Sequence, residues 1–180
     1  AFERALDEHP REDHRHRIEH CTVVDDDILE RLADLDLVVN PFSTYLYQHG
    51  DKMPEYGDRV EMMFAHGSFL DHDVAVSGTT DNPAGLLPPL LGIRTMVTRQ
   101  TSDGEVLGEQ QRISVEEALR IYTMGSAYST FDEDERGSLT PGKVADFVVL
   151  GDDPREVDPE TIHEIDVEET WVGGERVHPT

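Results

Sequence analysis

The sequence predicts an α/β protein built on parallel strands. Two short runs point there, His16-Arg17-Ile18-Glu19-His20-Cys21 and the apolar start of Val74 to Pro83, and each ends on a side chain competent to bind metal, His20 in the first and Asp81 in the second. The segments between them include helical patterns, and strands joined through helices run parallel. In such sheets ligands and catalytic groups gather at the carboxyl ends of the strands.

In chain order, residues 1 to 14 are mostly charged, with a helical turn expected around Phe2 to Leu6. Arg15 to Thr22 reads as a strand. Asp25-Asp26-Asp27 then offers a cap and acidic first-turn charge for a helix whose apolar face is Ile28, Leu29, Leu32 and Leu35. Leu37-Val38-Val39 is a short buried strand stopped by Asn40-Pro41. The polar stretch from Ser43 to Asp58 holds Gly, Pro and three tyrosines and is expected to be a long loop, either a functional lid or a disordered segment.

A helix is expected from Arg59 to Phe69, with Met62, Met63 and Phe64 in the core, and a strand over Val74-Ala75-Val76. Two further helices follow, Leu86 to Arg99 and Ser114 to Thr130, the second opened by a capping box of Ser114 and Glu117. After Gly137 the pattern changes: Pro141-Gly142 is a turn, Asp146 to Leu150 a strand, and Gly173-Gly174 sits at a hairpin position. A boundary is expected near residue 135.

The formal net charge is −24, far outside the magnitude of roughly 2 to 8 that suits a small domain in ordinary salt. Such an excess of carboxylates argues against nucleic acid as a partner. The thirteen arginines are joined by only two lysines, Lys52 and Lys143. An acidic, lysine-poor surface suits molar salt, where the Debye length falls to about 3 Å, so a halophilic protein is expected. Cys21, the single cysteine, fits a reducing interior. No apolar run approaches the length of about 18 residues needed to cross a bilayer, so the expectation is a cytoplasmic protein with no membrane partner.

The candidate site residues each have two readings. His20, at a strand end, is either a metal ligand or a hydrogen-bonded structural histidine. Asp81 is either a metal-facing general base or an Asx-turn cap before Asn82-Pro83. His14 and His16 share a face with His20 if the strand is regular, but the polar Arg11-Glu12-Asp13 before them favours a solvated pair. Cys21 points away from His20 as a small buried hydrophobe. Arg59 either binds an anionic group of the substrate or pairs with one of the many nearby acids.

Four stretches together resemble the amidohydrolase superfamily, and more narrowly its N-substituted formamide deformylase-like branch of metal-dependent hydrolases. They are Arg17 to His20, the strand end at Asp81, the helix Ser114-Val115-Glu116-Glu117-Ala118-Leu119-Arg120-Ile121-Tyr122-Thr123, and the run Gly137 to Leu150 with its Ala145-Asp146 entry into an apolar strand. The last is the most specific of the four. Thr80 stands where this family often has serine.

That resemblance implies a (β/α)8 barrel beside a small β-sandwich, with residues 1–134 as barrel strands six to eight and 135–180 as sandwich strands. It implies His20 as a metal ligand closing strand six, and Asp81 as a ligand and proton shuttle closing strand eight. The metal is a divalent ion, zinc by default, in one or two copies, and the substrate a small amide, formamide or cyclic amide. A whole barrel takes about 250 residues, the chain opens on Ala1-Phe2-Glu3 without Met, and the family's remaining ligands lie on earlier strands. A carboxyl-terminal fragment, inactive by itself, is therefore expected, with self-association through its barrel-facing surface or sheet edge, or partial disorder around residues 44 to 58. The rival reading is a non-catalytic binding or scaffold protein that keeps the fold.

Overall fold

The structure is a computed structural model and describes residues 1–179. Two three-stranded sheets organise it. The first is parallel, in the order β1 (Arg17–His20), β2 (Val38–Pro41), β3 (Ala75–Val76). Arg17 pairs with Val38 and His20 with Pro41, while Val38 and Val39 pair with Ala75 and Val76. An isolated parallel bridge between Phe42 and Thr79 lies beyond the named strands. Central β2 is buried along its whole length and edge strand β1 is largely exposed, which matches the apolar Leu37-Val38-Val39 against the polar Arg17 and Glu19.

The amino-terminal helix α1 (Phe2–Glu8) precedes β1. Between β1 and β2 runs α2 (Asp26–Asp34), started by the Asp25 carboxylate, which accepts from the Ile28 N–H at 2.9 Å. Asp26 and Asp27 in its first turn favour the helix dipole. Leu29 and Leu32 bury against the sheet with Leu37, Val39, Phe69 and Val76; full burial of each leucine contributes roughly 2–3 kcal/mol.

From β2 to β3 the chain departs from expectation. Residues 43–58 are not an irregular loop: α3 (Tyr45–His49) leads into a 3-10 stretch, Gly50–Met62, kinked at Gly57. The cause is a second apolar cluster in which Leu46, Met53 and Val60 pack with Met63, Phe64, Phe42 and Leu107. The seven-residue spacing of the first three hides in a polar background. The helix expected from Arg59 begins only at His66 (α4, His66–Asp71), because Met63 leaves in an extended conformation and bridges Val23.

Helix α5 (Pro89–Thr98) ends at Arg99, whose backbone is left-handed (φ 57) and whose side chain is buried. The Arg99 guanidinium donates to the carbonyls of Leu107, Phe64 and Met63 at 2.9, 3.0 and 3.0 Å, welding three loop segments together. After it, α6 (Val115–Arg120) opens with the expected capping box: Ser114 Oγ accepts from Glu117 N–H at 3.2 Å and Ser114 N–H donates to the Glu117 carboxylate at 2.7 Å. The single helix expected to Thr130 is broken by a π turn, Ile121–Gly125, before α7 (Ser126–Ser129).

The second sheet is antiparallel, β4 (Phe147–Leu150), β5 (Val167–Val172) and β6 (Glu175–His178), with Gly173-Gly174 turning β5 into β6. Its faces are largely exposed, but the 3-10 segment Pro159–Glu164 between β4 and β5 returns to α5 and buries Ile162 completely in the main core. At the other end Arg15 ties the approach to β1 onto the loop after α7. It donates to the Tyr128 carbonyl at 2.7 Å, pairs with Glu133 at 2.6 Å, and lies 3.9 Å over the Tyr128 ring. No helix among the described residues is long and apolar enough to cross a membrane.

Candidate functional site

Parallel pairing delivers the carboxyl ends of β1, β2 and β3 to one rim, and His20, Phe42 and Asp81 stand there. His20 is the last residue of β1 and Asp81 lies five residues past β3. Nε2 of His20 sits 3.2 Å from Oδ2 of Asp81. Both residues leave their strands through a left-handed backbone, with φ of 65 and 51, a conformation in which His and Asp are enriched among non-glycine residues. The turn after Asp81 is closed by the Gly85 N–H donating to the Asp81 carbonyl at 3.0 Å, and the Asp81 N–H donates to Thr79 Oγ1 at 3.2 Å. The Asp81 carboxylate itself meets His20, and among the described residues no backbone N–H donates to it.

Phe42, just beyond the end of β2, fills the space between these two strand ends. Its ring centroid is 5.6 Å from that of His20 and 5.3 Å, edge on, from Tyr45. Tyr45 in turn lies 5.5 Å from Phe64 and 4.6 Å from His49. The result is a cavity of about 360 Å³ whose walls include His20, Asp81, Phe42, Tyr45, His49 and Tyr56. One end carries the imidazole and carboxylate and the rest is largely aromatic. Cavities of about 430 and 500 Å³ exist elsewhere, beside the amino end of β3 and against β4, yet neither holds a paired imidazole and carboxylate. Chemistry, not volume, singles out the smaller one.

Phe42, Tyr45 and His49 escaped the sequence reading. Their signal was position: an aromatic-rich run, Pro41-Phe42-Ser43-Thr44-Tyr45, directly after the carboxyl end of a buried strand.

The other candidates fall elsewhere. Arg59 does not line the His20 and Asp81 cavity. It donates to the Tyr56 carbonyl at 3.3 Å and lines an adjoining depression with Lys52, sharing Tyr45 and Tyr56 as common walls. His14 and His16 stack on each other at 4.7 Å before the amino end of β1, away from His20 at the other end. Cys21 packs against the main core, and burial pushes its thiol up to about 11. His66 is buried with Nδ1 2.8 Å from the Phe64 carbonyl; burial and then the Arg99 charge hold its imidazole down to about 3, so it is neutral at physiological pH.

An imidazole nitrogen and a carboxylate oxygen are both donors that zinc accepts, and these two converge on one cavity, so His20 and Asp81 fit a divalent metal as a pair. Among the described residues no group of three or more His, Cys, Asp or Glu side chains could hold an ion. Two ligands is the donor set that residues 1–179 supply.

A family model described as the amidohydrolase family matches residues 1–178. Amidohydrolase YtcJ of Bacillus subtilis is 31% identical over 189 residues, which take in 99% of this chain and 35% of that protein. The N-substituted formamide deformylase of Arthrobacter pascens is 32% identical over 161 residues, 88% of this chain and 30% of its own. Among solved structures, an uncharacterized metal-dependent hydrolase from Pyrococcus horikoshii superposes with a TM-score of 0.73 at 28% identity, over 88% of this chain and 33% of that one. The chain thus spans about a third of the length of the relatives it matches.

Proposed function

The chain belongs to the amidohydrolase family, and from that premise we propose that it forms part of the active site of a metal-dependent hydrolase of carbon–nitrogen bonds in small amides, formamides or cyclic amides. The observation that carries this reading is the 3.2 Å approach of His20 to Asp81 at the shared rim of β1 and β3. In this reading β1, β2 and β3 are the sixth to eighth strands of a (β/α)8 barrel, residues 135–180 belong to the small β-sandwich, and further metal ligands come from barrel strands outside this chain.

His20 and Asp81 would hold the metal, zinc by default. That ion would supply the Lewis acidity that makes water a nucleophile near neutral pH. Asp81 takes a proton from the attacking water and returns it to the departing nitrogen, so that an amine rather than an amide anion leaves. The Asp81 carboxylate holds the proton between the two transfers. His20 orients that carboxylate. Phe42 and Tyr45 exclude bulk water from one side of the reacting group, which strengthens each charge interaction beside it.

The chain by itself is inactive in this reading, because catalytic zinc takes three protein ligands and an open position. Unpaired edges on β1 and β3 favour self-association. Arg59, beside the cavity, would meet an anionic part of the substrate at its mouth. The acidic surface fits a cytoplasm rich in salt. The deciding experiment is Asp81→Asn in the longer protein, assayed for amide hydrolysis and metal content. Turnover lost with metal retained supports the proton role; unchanged turnover removes Asp81 as the base, and a longer protein with neither turnover nor bound metal leaves the scaffold reading.

A further inference from the structure

The sheet hardly holds the segment that carries Asp81. β3 ends at Val76, the Ser77 N–H still donates to the Val39 carbonyl at 3.0 Å, and beyond that one isolated bridge joins Thr79 to Phe42. What secures Gly78 to Asp81 is the π turn Ile121–Gly125. A π turn inserts one residue into a helix and recurs at functional sites.

Here the inserted register sends the Tyr122 side chain into a slot between the Asp81 segment and α5. The slot exists because two residues lack a side chain. A Cβ on Gly78 would stand 2.7 Å from the Tyr122 ring carbons, and one on Gly92 would stand 2.0 Å from its hydroxyl oxygen. Seated there, the Tyr122 hydroxyl donates to the Thr79 carbonyl at 3.2 Å, while the neighbouring Ile121 carbonyl accepts from the Gly78 N–H at 3.1 Å. Thr79 passes the constraint on, its Oγ1 accepting from the Asp81 N–H at 3.2 Å. Burial pushes the Tyr122 phenol up to about 12, so the hydroxyl remains a donor at neutral pH.

We propose that Tyr122 is a positioning residue for Asp81, acting through Thr79 to hold the carboxylate against His20. It touches neither member of the pair. This rests on the reading of Asp81 as the proton carrier, but the claim about geometry stands apart from it. The network is a chain of three short links, Tyr122 to Thr79 to Asp81 to His20, in which each link fixes the next.

Tyr122→Phe tests it, since the ring stays in the slot and only the donor is lost. In the folded chain, hydrogen exchange at the Asp81 and Gly78 amides should quicken by about 10-fold or more, with the Val39 amide in β2 unchanged. In the longer, metal-loaded protein kcat should fall about 10-fold with KM within a factor of two, as expected when a reacting group shifts by a fraction of an ångström. Thr79→Val, which keeps the shape and removes Oγ1, should give a similar loss, and the double variant should lose no more than the larger single one.

Unchanged exchange at Asp81 in Tyr122→Phe would overturn the proposal, as would fully additive losses in the double variant. Should Tyr122→Phe not fold, the exchange and kcat of Thr79→Val decide alone by the same criteria. If Asp81→Asn leaves turnover intact, the proton role fails, and the exchange measurement still judges whether Tyr122 holds the segment.

Discussion

His20 and Asp81 meet at 3.2 Å although sixty-one positions separate them in the chain, and each reaches the other by leaving its strand through a left-handed turn, at φ 65 and φ 51. Neither contact nor conformation is imposed by the sheet, whose last named pair at this rim is His20 with Pro41. The two turns bend both side chains toward one cavity instead of along their strands.

If Asp81 moves the proton, Asp81→Asn in the longer protein lowers kcat by about 10²–10⁴, measured by release of amine from an amide substrate. His20→Ala should lower metal content more than Asp81→Asn does, because it deletes a ligand outright. Equal metal content in both variants and wild type would show that neither residue holds the ion.

Removal of metal by a chelator should abolish turnover in the longer protein and leave the melting temperature of the present chain unchanged, since two donors hold no ion tightly. A chelator-induced drop in its melting temperature would contradict that.

Stability should rise with salt. With a net charge of −24, self-repulsion falls as the Debye length shrinks from about 10 Å at 0.1 M to about 3 Å at 1 M. A gain of about 2 kcal/mol would read as a rise of roughly 4–8 °C in melting temperature for a chain of this size. A melting curve flat across this range of KCl would remove the case for adaptation to salt.

Acid should weaken the fold in a window set by His66. Its imidazole is held down to about 3 by burial, against 6.5 unperturbed, so between these values the unfolded chain binds a proton that the folded chain refuses. Stability is therefore full above about pH 6.5 and falls as pH drops toward 3, with a slope of at most about 1.4 kcal/mol per pH unit from this residue. The carboxyls of Glu3 and Glu133, held below their usual range by Arg31 and Arg15, add their own losses only at lower pH. His66→Gln should flatten the stability curve between pH 6.5 and 5, as read by urea unfolding; a slope equal to wild type would be the contrary result.

Arg99→Met should cost about 3 kcal/mol or more, because the carbonyls of Leu107 and Met63 would be left buried without donors, while that of Phe64 keeps only its contacts to His66. Arg99→Lys should recover less than half, as an ammonium cannot span three carbonyls arranged around a guanidinium plane. Equal unfolding midpoints for the lysine variant and wild type would refute this.

Much of this was legible in the residues. The strands around Val38 and Ala75 declared themselves through short apolar runs, and the Asp25 and Ser114 caps through local side-chain chemistry that acts within three residues. His20 and Asp81 were visible as polar groups at strand ends, but their separation depends on two backbone turns that no periodicity encodes. The segment 43–58 misled because its two buried large apolar residues, Leu46 and Met53, stand alone in a polar background and pack against Met63 and Phe64, which follow the segment, and Leu107, which is distant in the chain. The π turn was hidden for a similar reason: Ser114 to Thr130 has ordinary helical composition, and the reward for the extra residue is the slot beside Gly78 and Gly92.

Ile162 gives the second sheet a root. Plugged wholly into the pile of side chains around α5, it makes a cut at residue 134 an injury to the first sheet as well. A shortened product would bear an open hydrophobic socket and would clump or be degraded. Anyone grafting or trimming this protein should carry both sheets together, as a single unit of inheritance.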